Sequence, residues 1–257
     1  MPTGLFTLMR AGGSDEVSYH LQKIGQRRTG VMPDRDGLQH HSLCLGRRCE
    51  DRKPVDLGAA DTAKVRIEMD AGDLQVAGGA DQLMQASFRY NVAEWKPQVN
   101  YSLTGSQGEL VVDQQGDGNK LPAGREVINE WNIRLKEAVP LDIEIRTGAG
   151  QSELDLSSLD LSALHVHTGA GTTSLDLSGN WDHDLTATIE GGVGEISVKL
   201  PAEMGVRANM DTALVSVTAN GLMKDENGYV NQALGTAPHT LTLNLQAGVG
   251  SVVLETP

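Results

Sequence analysis

The feature that most constrains the fold is a unit of about 22 residues that recurs along the second half of the chain. Within residues 141–156, apolar and polar residues alternate, Gly148-Ala149-Gly150 interrupts the alternation, and it then resumes. Alternation with a period of two is typical of a half-buried strand. Equivalent corners begin at residues 148, 169, 192, 213 and 248, so the steps are 21, 23, 21 and 35 residues. A repeat of this length indicates a solenoid, a propeller or an array.

Among these architectures, the repeat favours an all-β fold, a single-stranded right-handed β-solenoid (β-helix) with coils of about 21–23 residues. A propeller blade needs about 40–45 residues, and a leucine-rich repeat needs a helical segment that the pattern lacks. The 30 glycines and few aromatics (two Phe, three Trp, four Tyr) fit a narrow aliphatic core. Glycine at the corners permits positive φ and close stacking of coils. The corner positions are Gly148, Gly150, Gly169, Gly171, Gly192, Gly194, Gly248 and Gly250.

Charge and pattern divide the chain into three segments. Residues 1–53 have nine Lys and Arg against six Asp and Glu, whereas residues 54–257 have a net charge of −16. The first segment lacks sustained alternation and a signal-peptide apolar run, which predicts a disordered leader. Residues 54–140 hold most of the aromatics and predict a less regular β subdomain or the first coils, and residues 141–257 predict the solenoid. The long last step predicts a loop inserted around residues 224–228.

Composition also excludes several classes of function. The net charge of −13 argues against a nucleic-acid binder and against docking on anionic lipid. No stretch reaches the roughly 18 apolar residues of a membrane-spanning helix. The two cysteines, Cys44 and Cys49, follow the pair His40-His41. A structural zinc site usually combines closely spaced cysteines with a total of four ligands. On that basis we interpret the two cysteines as incidental thiols, with a zinc site as the alternative.

Five local sequences outside the corners can be compared with known families, and residues 90–97 are the most specific of them. They are residues 68–74 (EMDAGDL), 78–80 (GGA), 90–97 (YNVAEWKP), 129–131 (NEW) and 177–181 (LSGNW). Together with the Gly-Ala-Gly and Gly-Val-Gly corners, they resemble the bacterial toast-rack family. The resemblance implies the extracytoplasmic part of a membrane regulator that responds to cell-wall stress, related to adhesin-like solenoid domains. It also implies a location in the cell envelope or outside the cell, although no export or lipoprotein signal precedes the matching segments.

Two histidines on one predicted strand are the candidate metal ligands. His165 and His167 alternate with apolar residues, so both imidazoles point outward on one face. Stacking the coils by their corners predicts one column of Arg146, His167, Glu190 and Asp211, and a neighbouring column of Glu144, His165, Thr188 and Asn209. His165, His167 and Glu190 could therefore ligate a transition metal. The alternative, which we favour, is a solvated ladder with opposite charges partly paired, and we predict no cofactor.

Two tryptophans are the candidate binding residues. Trp95 and Trp131 each lie between polar neighbours in the sequence. An exposed indole beside carboxylates and amides can stack on a sugar or on a partner surface. The alternative, which we favour, is packing of the subdomain onto the first coil.

Two further polar motifs suggest chemistry less strongly. Asp182-His183-Asp184 resembles part of a catalytic triad, but no serine lies in a sharp nucleophile elbow, so a polar loop is predicted. Asp155 and Asp176, which follow Gly corners, suggest a calcium site. However, the calcium-binding β-roll repeats every nine residues, whereas the unit of this chain has about 22 residues.

Three functions remain open from the sequence. The first is a non-enzymatic envelope module with a scaffolding, binding or wall-stress-sensing role, whose partners would be envelope proteins or cell-wall glycans. The second is an adhesin-like surface protein. The third, and least favoured, is a carbohydrate-active β-helix enzyme, because residues 141–257 contain only four Lys and Arg residues to serve as a base.

Overall fold

The chain is almost entirely extended in the structure, a computed structural model that describes residues 43–45, 48–115 and 127–256. Over these ranges it forms fourteen strands and one short 3₁₀ turn, Ala93–Trp95, which confirms the all-β class. No helix among the described residues is long and apolar enough to span a membrane. The strands are β1 (Leu43–Leu45), β2 (Arg48–Val55), β3 (Thr62–Ala77), β4 (Met84–Tyr90), β5 (Pro97–Thr104), β6 (Gln107–Gln114), β7 (Asn129–Leu135), β8 (Leu141–Asp155), β9 (Leu161–Asp176), β10 (Leu185–Lys199), β11 (Gly205–Asn220), β12 (Met223–Asp225), β13 (Gly228–Val230) and β14 (Thr240–Glu255).

The described strands form one long sheet. Its order is β1-β2-β4-β7-β3-β8-β9-β10-β14-β11-β13-β12, and β5 joins through β6, which pairs with β3. Six strands of 15 or 16 residues, namely β3, β8, β9, β10, β14 and β11, are parallel neighbours in register. This parallel array runs across the expected boundary at residue 140, and the division into a subdomain and a solenoid stays a prediction.

A short connection forces β8 to bend. β8 ends at Asp155 and β9 begins beside the start of β8 at Leu161, so residues 156–160 must carry the chain back. A straight strand of this length spans about 50 Å, whereas the connection reaches only about 20 Å. The two ends of β8 are therefore close together, and the bend falls at the glycine corner. The corner residues stay paired with the neighbouring strand, as Ala149 does with Ala170, so each predicted pair of short strands is one continuous bent strand.

Glycine is required at the corners of β8, β9, β10 and β14 because neighbouring backbones touch there, whereas the β11 corner, residues 213–215, contains no glycine. Gly150 has φ of +134° and Gly194 has φ of +145°, a region that side chains other than glycine rarely adopt. A Cβ on Gly150 would overlap the carbonyl oxygen of Gly72, and one on Gly248 would lie 2.6 Å from that of Gly192. The same conflict with a backbone carbonyl of the preceding strand in the sheet arises at all eight corner glycines identified from the sequence.

The core consists of stacked aliphatic side chains. Ile145 and Val166 are register partners before the corner, and Leu154 and Leu175 are partners after it; each is at most 1% exposed. Parallel pairing in register places equivalent residues about 4.8 Å apart, so each row is a continuous apolar ladder. Complete burial of one such side chain contributes about 1.5–3 kcal/mol.

The order of the last long strands in the sheet differs from their order in the sequence. β14 pairs with β10 on one side and with β11 on the other, so the last long strand lies inside the array. The predicted inserted loop is largely the hairpin β12–β13, and β13 pairs with Arg207–Asn209 of β11. Stacking in sequence order predicts that Asp211 lies beside Glu190. In the sheet, β14 lies between them, so the two residues are not neighbours.

Both candidate binding tryptophans are buried, which corrects the surface-binding interpretation. Trp95 and Trp131 are each 1% exposed. The ring of Trp131 packs edge-on against Phe88 with 5.4 Å between centroids, and its indole N–H donates to Asn129 Oδ1 at 2.9 Å. Trp131 points inward because its polar neighbours Glu130 and Asn132 occupy the other face of β7. The burial of both residues agrees with the packing alternative.

The N-terminal boundary also needs correction. β2 pairs antiparallel with β4, so residues 48–53, assigned above to a disordered leader, belong to the sheet. Cys49 is disulfide-bonded rather than a free thiol, and the β1–β2 register places it opposite position 44. This pairing has no signal in the sequence pattern, because strand β2 carries charges and a proline and does not alternate. The remaining leader, residues 1–42, lies outside the described residues, as do the two histidines of the zinc alternative.

The Asp182-His183-Asp184 segment joins three strands of the array. His183 Nε2 contacts the carbonyl oxygen of Leu161 at 2.8 Å, and Nδ1 contacts Asp182 at 3.2 Å. Asp184 accepts a hydrogen bond from the backbone N–H of Thr240 at 2.8 Å. The hydrogen bond to the carbonyl of Leu161 is the main cause of a raised pKa of His183, and the hydrogen bond to Asp182 raises this pKa further. The segment is a structural link between strands of the array, and its contacts do not assemble a triad.

Replacing a corner glycine should destabilise the fold much more than replacing a turn glycine. Gly171→Ala places a Cβ against the carbonyl of Gly150 at a φ of +132° and should cost about 3 kcal/mol or more. The matched control is Gly105→Ala, also at positive φ but with open space around the new Cβ, which should cost about 1–2 kcal/mol. Urea unfolding of both variants measures the difference. Equal losses would show that steric contact at the corner is unimportant.

Deprotonation of His183 should weaken the fold. Its pKa is raised in the folded state, so its stabilising contribution is complete below the unfolded pKa and is lost as the pH rises through the folded value. The difference in urea midpoint between the wild type and His183→Gln should therefore be larger at pH 5.5 than at pH 8.5. A difference that does not change with pH would contradict this role.

Candidate functional site

A polar surface groove crosses the parallel array beside the corners. Its volume is about 790 Å³, and each of the six long strands contributes a short segment to its lining. We call it the corner groove. Its floor includes corner backbone at Gly148, Gly169 and Gly192. Its most regular feature is one row of register partners, which in sheet order are Glu68, Arg146, His167, Glu190, Gln246 and Asp211.

The row arises because the parallel strands are in register at the corner. Residues that occupy the same position before each corner lie side by side, about 4.8 Å apart along the sheet. The repeat in the sequence predicts that Arg146, His167 and Glu190 are adjacent in the row, and they are. Gln246 separates Glu190 from Asp211 because β14 is inserted there.

Charges in the corner groove are only partly paired. Arg146 binds Glu144 Oε1 at 2.6 Å, and this hydrogen bond lowers the pKa of Glu144 and raises the pKa of Arg146. His167 Nδ1 lies 3.1 Å from Glu190 Oε2. Within the described residues, the carboxylates of Glu68 and Asp211 form no ion pair. The groove lining holds four carboxylates, from Glu68, Asp70, Glu190 and Asp211, against the single guanidinium of Arg146, so it is negatively charged.

The proposed metal ligands are not gathered into one site. His167 and Glu190 are in contact, but His165 lies in the neighbouring row, paired with Glu144 and Thr188. Among the residues that the structure describes, no group of three or more His, Cys, Asp or Glu side chains is arranged to hold a metal ion. The alternative of a polar ladder fits these rows.

The two aspartates of the calcium alternative stabilise turns. Asp155 accepts hydrogen bonds from the backbone N–H and hydroxyl of Ser157, and Asp176 accepts the same pair from Ser178. Burial acts to raise the pKa of Asp176, but the Ser178 hydrogen bonds and Lys199 outweigh it, and the pKa is lowered. Each carboxylate thus fixes the turn that follows its strand.

Two residues of the row were missed from the sequence. Glu68 precedes the corner of β3, and Gln246 precedes the corner of β14. Both could have been found, because each occupies the position that Arg146 occupies in its own unit, two residues before the first corner residue or its equivalent. Which residues lie beside Glu68 and Gln246 in the row depends on the order of strands in the sheet, and the sequence pattern does not predict that order.

Comparison with known proteins gives one family match and several similar structures. The family model for the N-terminal domain of toast_rack, DUF2154, matches residues 46–199. A crystal structure of a "putative cell adhesion protein" from Clostridium sporogenes is 33% identical, with a TM-score of 0.77; the match covers 81% of this chain and 99% of that one. No curated protein matches the chain in sequence.

Two further structures are more distant. A "putative adhesin" from Bacteroides fragilis is 11% identical over 81% of this chain and 97% of its own, with a TM-score of 0.34. A "putative lipid binding protein" from Parabacteroides distasonis is 11% identical over 82% and 97%, with a TM-score of 0.25. The family match, which covers more than half of the chain, agrees with the resemblance found in the local sequences. The chain therefore belongs to the toast-rack N-terminal domain family (DUF2154).

Proposed function

We propose that this protein is a non-enzymatic, adhesin-like module of the cell envelope that binds a positively charged partner in the corner groove. The observation that carries the proposal is the groove itself, in which four carboxylates and one guanidinium line a surface built from six strands in register. A concentration of carboxylates attracts and orients cationic groups. A Lys- or Arg-rich segment of an envelope protein fits this charge better than a neutral cell-wall glycan.

Two observations support the envelope location. Cys49 is disulfide-bonded, and disulfides persist mainly in oxidising environments outside the cytoplasm. The Clostridium sporogenes chain, which is 33% identical and matched over 99% of its length, is described as a "putative cell adhesion protein". Scaffolding and wall-stress sensing are finer forms of the same proposal, since both require contact with an external partner.

The proposal includes a right-handed β-solenoid as the platform. Parallel pairing, bent strands and five-residue returns such as residues 156–160 support it, and crossover connections between parallel strands are almost always right-handed. A stack of such coils holds the groove residues on rigid backbone, which limits the entropy lost when a partner binds.

The groove favours binding over catalysis. His167 has Glu190 as its hydrogen-bond partner, whereas nucleophilic catalysis requires a base within reach of a hydroxyl or thiol. Arg146 is engaged by Glu144. These side chains are arranged as a charged surface rather than as a base and a nucleophile.

Removing negative charge from the groove should weaken binding of a cationic peptide. We expect Glu190→Gln with Asp211→Asn to reduce affinity for a Lys-rich peptide by about tenfold, measured by calorimetry at low ionic strength. The matched control is Glu203→Gln with Asp73→Asn, which removes the same two charges from exposed positions outside the groove and should change affinity less than about twofold. Equal losses in both variants would mean that the peptide senses only net charge and would contradict the groove as the site.

The disulfide gives a separate test of the envelope location. Protein isolated from its native cells without reductant should not react with a maleimide, and should react after reduction and unfolding, as measured by mass spectrometry. Intact cells should also lose the protein to added protease if it is displayed at the surface. Free thiols in the unreduced native protein would contradict an oxidising location, whatever the groove binds.

A further inference from the structure

One end of the parallel array is covered over only half of its last strand. At the opposite end, β3 pairs with β6 before its corner and with β7 after it, so both halves are covered. β11 pairs with β13 only over Arg207–Asn209. Its second half, residues 212–220, pairs with β14 on one side and with no other described strand on the other. This segment, which we call the β11 edge, presents backbone donors and acceptors on its outer side.

The core is partly open along the β11 edge. Val252 and Leu254 of β14 are at most 1% exposed, whereas their register partners Val217 and Ala219 on β11 are only half-buried. In the first half of β11, Ala208, the register partner of Tyr229 in β13, is 1% exposed. The difference shows that one more strand would complete the core beyond residues 212–220.

The β11 edge lacks the features that normally block strand pairing. Edge strands are usually protected by charges, prolines or bulges. Residues 212–220 read TALVSVTAN and contain no charged residue, proline or glycine. This is unusual in a chain whose net charge is −13.

We propose that the β11 edge pairs antiparallel with the β11 edge of a second copy of this chain, across a two-fold axis at Ser216. Two strongly acidic chains repel each other unless they meet through a surface that is free of charge, and the β11 edge is such a surface. A two-fold axis makes the contact closed and self-complementary. This proposal does not depend on what the corner groove binds.

The side chains of the β11 edge match each other in this register. With Ser216 opposite its own copy, Val215 faces Val217 of the second copy, and Ala213 faces Ala219 of the second copy. Directly opposed residues of an antiparallel pair lie on the same face. The half-buried Val215, Val217 and Ala219 of each chain therefore meet apolar residues. The residues of the other face meet along the outside, where the exposed Leu214 lies opposite Thr218 of the second copy.

The first experiment measures the mass of the protein with and without a charge on the edge. The wild type should sediment at twice the 27.4 kDa of one chain. Val217→Lys puts an ammonium at a core-facing position and should raise the dimer dissociation constant at least about tenfold. Thr218→Lys adds the same charge to the exposed face of the same strand and should leave the dimer largely intact. A monomeric wild type, or equal effects of the two lysines, would overturn the proposal.

Two further measurements fix the register and exclude misfolding. Ser216→Cys should form a covalent dimer under mild oxidation, because each Cys faces its own copy, whereas Thr212→Cys should not. Backbone amides of residues 212–220 should exchange slowly in the wild type and faster in Val217→Lys, while amides of β9 stay protected in both if the variant is folded. Slow exchange at the edge of a monomeric wild type would show that another segment covers it, and cross-linking at Thr212→Cys alone would overturn the register.

Discussion

The rest of the structure depends on the close contact between glycine corners. At the glycine corners of β8, β9, β10 and β14, a carbonyl oxygen of the neighbouring strand occupies the space that a Cβ would need. This contact is possible only when the residue facing that oxygen is glycine, so it fixes the register of these parallel strands to a single residue. A shift by one residue would bring a side chain against a carbonyl and would also turn every core residue outward.

Fixed register explains both the core and the groove. Because equivalent positions are neighbours, an aliphatic position in the repeat becomes a ladder, and a polar position becomes a row. A row of identical charges would be destabilising, since like charges directly opposite repel. In the corner groove, Arg146 and His167 separate Glu68 from Glu190, and Gln246 separates Glu190 from Asp211. The insertion of β14 thus prevents a contact between carboxylates that the order of the sequence would have produced.

The sequence predicts what is local and repeated in this fold. Alternation and the Gly corners were enough for the strands, the role of the corner glycines and the row through Arg146, His167 and Glu190. Alternation also predicts that Trp131 points inward, because its polar neighbours lie on the opposite face of the strand. Sequence neighbours of a strand residue are therefore a poor guide to the surroundings of its side chain. The position of β14, the strand β2 and the pairing of Cys49 could not be predicted, because each depends on contacts between distant segments that leave no periodic signal.

The two ends of the array show how a repeat fold limits its own length. Every internal strand has both edges paired, so only terminal strands must be covered by irregular structure. The β3 end has six strands beyond β3, namely β1, β2, β4, β5, β6 and β7. The β11 end has a hairpin of two three-residue strands, which reaches the first half of β11 only. The half left open is also the half without charge, and this coincidence of an incomplete core with an unprotected edge is what a pairing surface requires.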